Sequence, residues 1–465
     1  MAAEQKLTFA RASEVEYCGH MKKRTSDLFS GKGQRLWKKA KTLIPGGNQL
    51  LSKRSELFLP DLWPSYYSKA KGAYVWDLDG RKLLDMSIMG VGSNVLGYCD
   101  TDVNAAVIDA VKRSAMSTLN PPEEVELAEL LCKIHPWADM ARFVRTGGEA
   151  MAVAARIARA YTGKDVIAFC GYHGWADWYL ATNLADKNGL NDHLLSGLEA
   201  RGVPRGLCGT ILPFHYNKID ELEKIVRENE GKLAAIIMEP VHSDEPKDGF
   251  LEKVRGIAKR AGTVLVFDEI TIGWKLCVGG AHLKYGVDPD MAVFAKAMSN
   301  GHPMAAIIGT REVMQAAQGS FISSTYWTDR IGPAAALATI KKMKRVNLPR
   351  HLSRVSKKVR IIWNDAAKKH GLAIRTAEVP VILTFTLTGH DSQEAKTLFV
   401  QEMLRRGFLA SNLFYASYAH KNPHLAKYAK AVDEVFGIIA KARKSGGVKK
   451  MLKGPVAHTG FQRLN

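Results

Sequence analysis

Lys296 is the residue whose setting most strongly suggests chemistry. It follows the apolar run 291–294 after a single alanine. A charged amine beside a buried strand costs free energy, so we expect a lowered pKa or a covalent use. The neutral amine is the form that attacks a carbonyl carbon to give a Schiff base. The position of Lys296 therefore favours Schiff-base chemistry.

Asp268 directly follows a second apolar run, 264–267. An acid at such a position often caps a neighbouring helix or binds an arginine. A carboxylate that stays ionised there can instead hold a protonated ring nitrogen, and that contact makes a pyridine ring an electron sink. These residues alone leave both interpretations open.

Two further motifs suit a planar, phosphorylated ligand. Gly147 and Gly148 open a stretch of small apolar residues at helical spacing, and backbone N–H groups at a helix start bind anions. Glycines also stand at helix starts for purely steric reasons. Tyr172, in Tyr172-His173-Gly174, offers an aromatic face for stacking, although a tyrosine also fills protein cores.

Short apolar runs alternate with helical stretches in the middle of the chain, which predicts an α/β fold with a mainly parallel sheet. We predict strands at 166–169, 234–238, 264–267, 291–294 and 305–308, and helices at 219–228 and 251–261. Ligands in such sheets bind beyond the carboxyl ends of the strands. Tyr172, Glu239, Asp268 and Lys296 all follow predicted strands, so we expect them to share one site.

The wider pattern predicts three segments. Residues 1–95 form an N-terminal segment with a helix and a hairpin at 74–85, whose turn is Asp79-Gly80. Residues 96–345 form a large ligand-binding domain that ends in a long helix at 333–346. Residues 346–465 form a smaller α/β C-terminal domain with a strand at 379–387.

The net charge is the unusual feature of the composition. The chain has 465 residues, of which 46% are hydrophobic and 24% charged, as in ordinary globular proteins. Its formal charge of +20 would suit a nucleic acid, a membrane surface or an anionic substrate. The basic residues are spread along the whole chain, and the cluster 441–450 is interpreted as a solvated helix end and loop. We therefore expect neither a nucleic-acid nor a membrane partner.

The cysteines and the apolar runs indicate a location. No run approaches the roughly 20 apolar residues of a membrane span, and the polar N-terminus lacks the apolar region of a secretory signal. We expect a cytoplasmic protein with reduced thiols and no metal site. The cysteines, which show no metal-binding spacing, are Cys18, Cys99, Cys132, Cys170, Cys208 and Cys277.

Together these motifs resemble the class III aminotransferases of the fold-type-I pyridoxal-phosphate (PLP) enzymes, especially the branch of glutamate-1-semialdehyde 2,1-aminomutase. The resemblance runs from about Leu36 to the C-terminus. It implies an α/β fold-type-I architecture with a seven-stranded, mainly parallel sheet and a smaller C-terminal domain. The matching segments are 45–47, 72–80, 146–150, 172–174, 238–241, 268–269 and 295–297.

The resemblance implies a role for each motif position. Lys296 would form the internal aldimine with PLP and then move the proton between the substrate Cα and the cofactor C4′. Asp268 would pair with the pyridinium nitrogen. The other expected cofactor contacts are Gly147 and Gly148 to the phosphate, Tyr172 and Ile270 on the two ring faces, and the nearby acid Glu239.

The family is dimeric, and a threonine of the partner subunit completes the phosphate site. The candidates here are Thr325 and Thr328, in the stretch 323–333. The Thr-Tyr pair favours Thr325, whereas the distance back from Gly332-Pro333 favours Thr328, so both stay open. The resemblance therefore implies a homodimer with shared active sites.

The substrate side departs from the aminomutase pattern. A kept cofactor shell with a changed substrate shell suggests the same carbonyl–amine chemistry on a different substrate. The family has a serine and an arginine after Pro45-Gly46-Gly47, and here Ser52 or Arg54 could take those places only after a shift in register. Ile88-Met89 stands where the family has a tryptophan, and Tyr415 stands where it has the acid of a Phe-Glu-Ala motif. The segment 270–275 replaces a Thr-Gly-Phe-Arg stretch.

We predict an aminotransferase that moves an amino group between a small-molecule amino donor and a carbonyl acceptor by a ping-pong mechanism. An aminomutase or an amino-acid racemase on the same cofactor is the alternative. A basic binding protein on this scaffold is a third interpretation, which the presence of both Lys296 and Asp268 disfavours. The donor and the acceptor stay open.

Overall fold

The computed structural model describes residues 28–194, 196–241, 244–377, 379–462 and 464. A helix and an antiparallel meander come first. The helices are α1 Lys32–Leu43 and the short α2 Met89–Gly92, and the strands are β1 Tyr67–Lys71, β2 Tyr74–Asp77 and β3 Lys82–Met86. Strands β2 and β3 form the predicted hairpin, with Tyr74 opposite Leu84. The Asp77 carboxylate closes its turn by accepting the N–H groups of Asp79 and Arg81, both at 2.9 Å.

Strands and helices then alternate up to residue 345. The helices are α3 Thr101–Lys112, α4 Pro122–Ile134, α5 Gly147–Thr162, α6 Asp177–Leu180, α7 Thr182–Ala185, α8 Ile219–Glu228, α9 Phe250–Ala261, α10 Ala281–Tyr285, α11 Arg311–Met314 and α12 Ile331–Arg345. The strands are β4 Met140–Val144, β5 Val166–Cys170, β6 Ile211–Pro213, β7 Leu233–Met238, β8 Val264–Asp268, β9 Met291–Phe294 and β10 Ala305–Gly309. The five predicted strands are confirmed as β5 and β7 to β10.

These seven strands form one sheet in the order β4-β10-β9-β8-β7-β5-β6. Strand β10 runs antiparallel to both of its neighbours, and the other pairs are parallel. Adjacent residues of a central strand, such as Ile236 and Ile237, belong to hydrophobic clusters on opposite sides of the sheet. Both faces are therefore covered, and the predicted α/β class with a mainly parallel sheet is confirmed.

The C-terminal residues add a small sheet and three long helices. The helices are α13 Leu348–His370, α14 Ser392–Arg405 and α15 Asn422–Lys444, and the strands are β11 Ile374–Thr376, β12 Ile382–Leu387, β13 Phe408–Ala410 and β14 Leu413–Tyr415. Strands β11, β12 and β14 form a three-stranded sheet. Strand β13 instead pairs in parallel with β3, Phe408 lying opposite Leu84. The two ends of the chain thus share one sheet, while the three-segment division stays a prediction.

Two findings bear on the expected location. No helix in the described part of the chain is both long and apolar enough to cross a membrane. The cysteines of the described residues are free thiols, at positions 99, 132, 170, 208 and 277. Cys18 lies outside the described residues, as does the predicted polar start of the chain.

Candidate active site

Asp268 lies at the carboxyl end of β8, where only 3% of its surface is exposed. Its Oδ1 accepts the backbone N–H of Ile270 at 3.0 Å, and its Oδ2 lies 2.8 Å from Nδ1 of His173. Burial raises the pKa of Asp268, and the hydrogen bond with His173 opposes that rise. The position of His173 therefore favours the ionised carboxylate.

The contact between His173 and the carbonyl oxygen of Cys170 shows which ring nitrogen of His173 carries a hydrogen. Its Nε2 lies 3.1 Å from the carbonyl oxygen of Cys170, which can only accept, so Nε2 carries a hydrogen. The contact between Nδ1 and Asp268 then holds one further proton. This hydrogen bond links the two buried side chains.

Lys296 opens a 3₁₀ turn, Lys296–Ser299, directly after β9. Its φ of 44° is in the left-handed region, which a lysine rarely adopts. Such backbone strain is concentrated at functional sites. Its Nζ donates to Thr271 Oγ1 at 2.8 Å. Burial lowers the pKa of Lys296, while the nearby carboxylates of Asp268 and Glu239 oppose the shift.

The predicted anion site lies at the start of α5. Thr146 and Glu149 form a capping box, in which Thr146 Oγ1 accepts the N–H of Glu149 and Glu149 Oε2 accepts the N–H of Thr146. The other N–H groups of the first turn have no acceptor inside the helix. A Cβ on Gly147 would lie 2.9 Å from Cδ1 of Ile270, so this turn is packed too closely for a larger residue.

These elements enclose a cavity of about 270 Å³. Glu239 lies behind it, 8% exposed, where its Oε2 accepts the Tyr172 N–H at 3.3 Å. The predicted residues that line this cavity are Gly147, Gly148, Tyr172, Asp268, Ile270 and Lys296. Sequence positions far apart thus meet at one edge of the large sheet, as the strand-end rule predicts.

The class III aminotransferase family model matches residues 61–441. The chain is also 30% identical to 3-aminobutyryl-CoA aminotransferase of Cloacimonas acidaminovorans, over 87% of this chain and 97% of that protein. It is 35% identical to glutamate-1-semialdehyde 2,1-aminomutase of Pelodictyon phaeoclathratiforme, over 86% and 96%. The chain belongs to the class III aminotransferases. It is a PLP-dependent aminotransferase, not a binding protein on that scaffold.

Solved structures of transaminases share its fold-type-I architecture. The FumI protein of Sphingopyxis sp. MTA144, solved in its PLP internal aldimine form, superimposes with a TM-score of 0.79 over 89% of this chain and 98% of that chain, at 22% identity. A glutamate-1-semialdehyde aminomutase from Pseudomonas aeruginosa PAO1 gives a TM-score of 0.74 over 88% and 94%, at 17% identity. The predicted fold type is confirmed.

The residues of the aminotransferase cavity fit PLP. The half-buried amine of Lys296 suits the aldehyde, the buried carboxylate of Asp268 suits the ring nitrogen, and the capped start of α5 suits the phosphate. Sequence reasoning missed Arg145, Thr271 and His302, which line the same cavity. Of these three, Thr271 could have been suspected from the sequence, because it lies in the segment 270–275 that departs from the family pattern.

The two candidate threonines lie outside that cavity. Thr325 and Thr328 are exposed at the two ends of a 3₁₀ turn, and Thr328 Oγ1 donates to the Thr325 carbonyl at 2.9 Å. Arg145 ties this turn to the cavity rim by donating to the carbonyls of Trp327 at 2.8 Å and Asp329 at 3.0 Å. The turn is thus held beside the cavity rim near Arg145, and both threonines are exposed.

A second cavity, of about 540 Å³, adjoins the first and shares His302 with it. Of the predicted substrate-side positions, Ile88 lines it, together with the neighbouring Lys53. Arg54 points elsewhere, because its Nη1 donates to the carbonyl of Gln462 at 3.2 Å. Sequence reasoning missed Lys53, which lies between the two positions that it considered.

Tyr415 occupies the position predicted to replace a family acid. It is 8% exposed at the end of β14, and a Cβ on Gly92 would lie 2.6 Å from its ring. Burial, with a smaller contribution from Glu239, raises the pKa of Tyr415 to about 12. The phenol is therefore protonated at neutral pH, and it brings a hydroxyl where the aminomutase pattern has a charge.

Proposed function

We propose that this aminotransferase moves an amino group from a small-molecule amine to a carbonyl acceptor, with Lys296 and Asp268 as its catalytic residues. One observation carries the assignment. The half-buried amine of Lys296 and the buried carboxylate of Asp268 face the same 270 Å³ cavity, which is also lined by the start of α5. Bound PLP supplies an aldehyde for the amine and a ring that withdraws electrons from a substrate carbon.

Lys296 serves as nucleophile and then as proton carrier. Burial lowers the pKa of its amine and so favours the neutral form, which has the lone pair that both tasks require. When the amine is free, the hydroxyl of Thr271 orients it at 2.8 Å. Nζ then accepts the proton that leaves the substrate carbon.

Asp268 holds the ring nitrogen in its protonated form. The carboxylate keeps lone pairs available beyond its contacts with Ile270 and His173. We assign the phosphate to Gly147 and Gly148 and the two ring faces to Tyr172 and Ile270. Glu239 adds negative charge behind Tyr172 and favours a cationic ligand.

We propose a homodimer in which one of the exposed threonines reaches the partner's phosphate site. Large apolar side chains lie exposed around the same turn: Phe321 is 88% exposed and Tyr326 is 71% exposed. Trp175, next to Gly148, is 69% exposed. Exposed apolar groups of this size typically mark protein interfaces. Replacing Thr325 and Thr328 separately by valine, and measuring PLP affinity in each dimeric variant, decides between them.

The 540 Å³ cavity is the space we assign to the substrate. Its charged lining residues are Lys53, Asp77 and Asp85, so the excess positive charge of the chain is not concentrated there. An anionic substrate would therefore depend mainly on Lys53. The value of KM at several ionic strengths tests this, because a value independent of salt removes the electrostatic argument.

An aminomutase is the second candidate, because relatives with that name are 32–35% identical to this chain. A donor screen separates the two functions. Loss of the visible absorbance of bound PLP identifies amines that react, and mass analysis identifies the products. A transaminase needs a second carbonyl substrate to recover its absorbance, whereas an aminomutase or a racemase turns over one substrate alone.

We also propose a cytoplasmic location, which the free thiols support.

A further inference from the structure

A second lysine is buried beside Lys296. Lys275 is only 1% exposed, although a lysine is among the residues most rarely buried. Its Nζ donates to the backbone carbonyl of Thr271. The hydroxyl of the same threonine accepts from Nζ of Lys296 at 2.8 Å. Two amines are thus held at two polar atoms of one residue.

The acid nearest in sequence uses one of its two carboxylate oxygens for other contacts, and its Oε2 has no hydrogen-bond partner in the described part of the chain. Glu269 is fully buried, and its Oε1 accepts the backbone N–H of His282 at 2.9 Å and the Nδ1–H of the same residue at 2.8 Å. The His282 ring is neutral, because its Nε2 accepts the indole N–H of Trp137 at 3.0 Å. The hydrogen bond of Lys275 goes to the neutral carbonyl of Thr271, and Glu269 acts on Lys275 only through its charge.

The charges around the two amines compete. Burial lowers the pKa of Lys275 to about 7, and the charge of Lys296 adds to this shift. The charge of Glu269 opposes it. Repulsion between two cations is mutual, so a proton on either lysine disfavours a proton on the other. The other charged or titratable groups that face Lys296 are Asp268, Glu239, Arg145, Tyr172 and His302.

We propose that Lys275 is a positioning residue for the active-site amine: it fixes Thr271, whose hydroxyl orients Lys296, and its charge favours the neutral, nucleophilic form of Lys296. This rests on the proposed role of Lys296. A lysine suits this task differently from the arginine of the family pattern, because a buried lysine can lose its charge and an arginine keeps it. The repulsion that Lys275 exerts on Lys296 therefore depends on whether Lys275 carries its proton.

The test measures the Lys296 amine rather than turnover. The full chain is stripped of cofactor and mixed with PLP between pH 6 and pH 10. Borohydride then traps the adduct at timed intervals, and peptide mass spectrometry quantifies it at Lys296. The trapping rate follows the neutral fraction of the amine, so its pH midpoint reports the charge state of Lys296. Wild type is compared with Lys275→Met, which has no charge, and Lys275→Arg, which is always charged.

The inference predicts an order of midpoints: lowest in Lys275→Arg, intermediate in wild type and highest in Lys275→Met. The two variants should differ by at least about one pH unit, which is a tenfold rate difference at fixed pH. Lys284→Met, on the exposed face of α10, is the matched control and should leave the midpoint unchanged. Midpoints that agree within about 0.3 unit, or any other order, overturn the proposal.

A separate arm tests the positioning role and covers a Lys275 variant that does not fold. Thr271→Val should slow trapping at every pH without moving the midpoint, and Thr271→Ser, which keeps the hydroxyl, should restore the rate. A valine variant with the wild-type rate contradicts the shared-threonine arrangement. If wild type gives no adduct at Lys296, the proposed function fails. An adduct with unshifted midpoints overturns only the inference about Lys275.

Discussion

The two sides of the active site differ in how they are built. Glu239, Asp268 and Lys296 lie at or directly after the ends of β7, β8 and β9, where neighbouring strands fix their separation. Loops provide the rest of the site: Ile270 and Thr271, after β8, line the cavity, and Arg145 ties the turn Thr325–Thr328 to its rim. The strand-end side keeps the family's residues, whereas the loop side departs from them. Substrate choice can therefore change here without rebuilding the cofactor site.

The most severe change on the strand-end side is Lys296→Ala. It removes both the nucleophile and the proton carrier, so we expect turnover to fall by about 10³-fold or more. Borohydride should then trap no PLP at position 296. Lys284→Ala is the control, since this lysine lies on the exposed helix α10. Normal turnover in Lys296→Ala would show that another amine carries the reaction.

Asp268→Asn keeps the shape of the side chain and removes its charge. The ring nitrogen then loses its ionic partner, and we expect kcat to fall by roughly 10²-fold while PLP still attaches to Lys296. The matched control is Asp288→Asn, an exposed acid in the connection between β8 and β9. Equal kcat values for the two variants would argue against the assigned role of Asp268.

The contrast also explains what the sequence could predict. Apolar runs located β5 and β7 to β10, and the residues after them therefore located Asp268 and Lys296. Strand β4 was missed because Arg142 interrupts its apolar pattern, and β6 because it has three residues and ends in a proline. The contact between Lys275 and Thr271 could not be predicted, because it depends on how an irregular loop folds back. Neither could the anchoring of Arg54 at Gln462, which joins opposite ends of the chain.

The buried charge on the loop side should affect stability in a way that depends on pH. Burial lowers the pKa of Lys275 to about 7 in the folded protein, below the ordinary value of 10.5 for a lysine side chain. Between these values the unfolded chain binds more protons, so this group makes the free energy of unfolding rise with pH. Lys275→Met should remove that rise and be more stable near pH 7, by an amount on the order of a few kcal/mol. Denaturant unfolding at pH 7, 8.5 and 10 measures both profiles, and parallel profiles would contradict a buried, neutralised lysine.

A smaller effect is expected where the two sides meet, at Gly147. An added Cβ would lie 2.9 Å from Ile270 and push that side chain into the cavity. Gly147→Ala should therefore weaken PLP binding, by about tenfold if one favourable contact is lost. Gly206→Ala is the matched control, because a Cβ there meets open space. The comparison is made by equilibrium titration of the cofactor-free proteins with PLP, and equal affinities would exclude a close approach of the phosphate at Gly147.

Tyr415→Phe should have the smallest effect and test a position at the end of β14 that departs from the family pattern, apart from the cofactor residues. The phenol has a pKa of about 12, so it is a neutral hydrogen-bonding group throughout an ordinary assay range. Loss of one neutral hydrogen bond to the substrate should raise KM by a few-fold, with kcat and PLP affinity nearly unchanged. The increase should be the same from pH 7 to pH 9, because no ionisation of Tyr415 occurs there. A fall in PLP affinity would place Tyr415 on the cofactor side, and the division between a fixed strand-end side and an adaptable loop side would then be wrong at this residue.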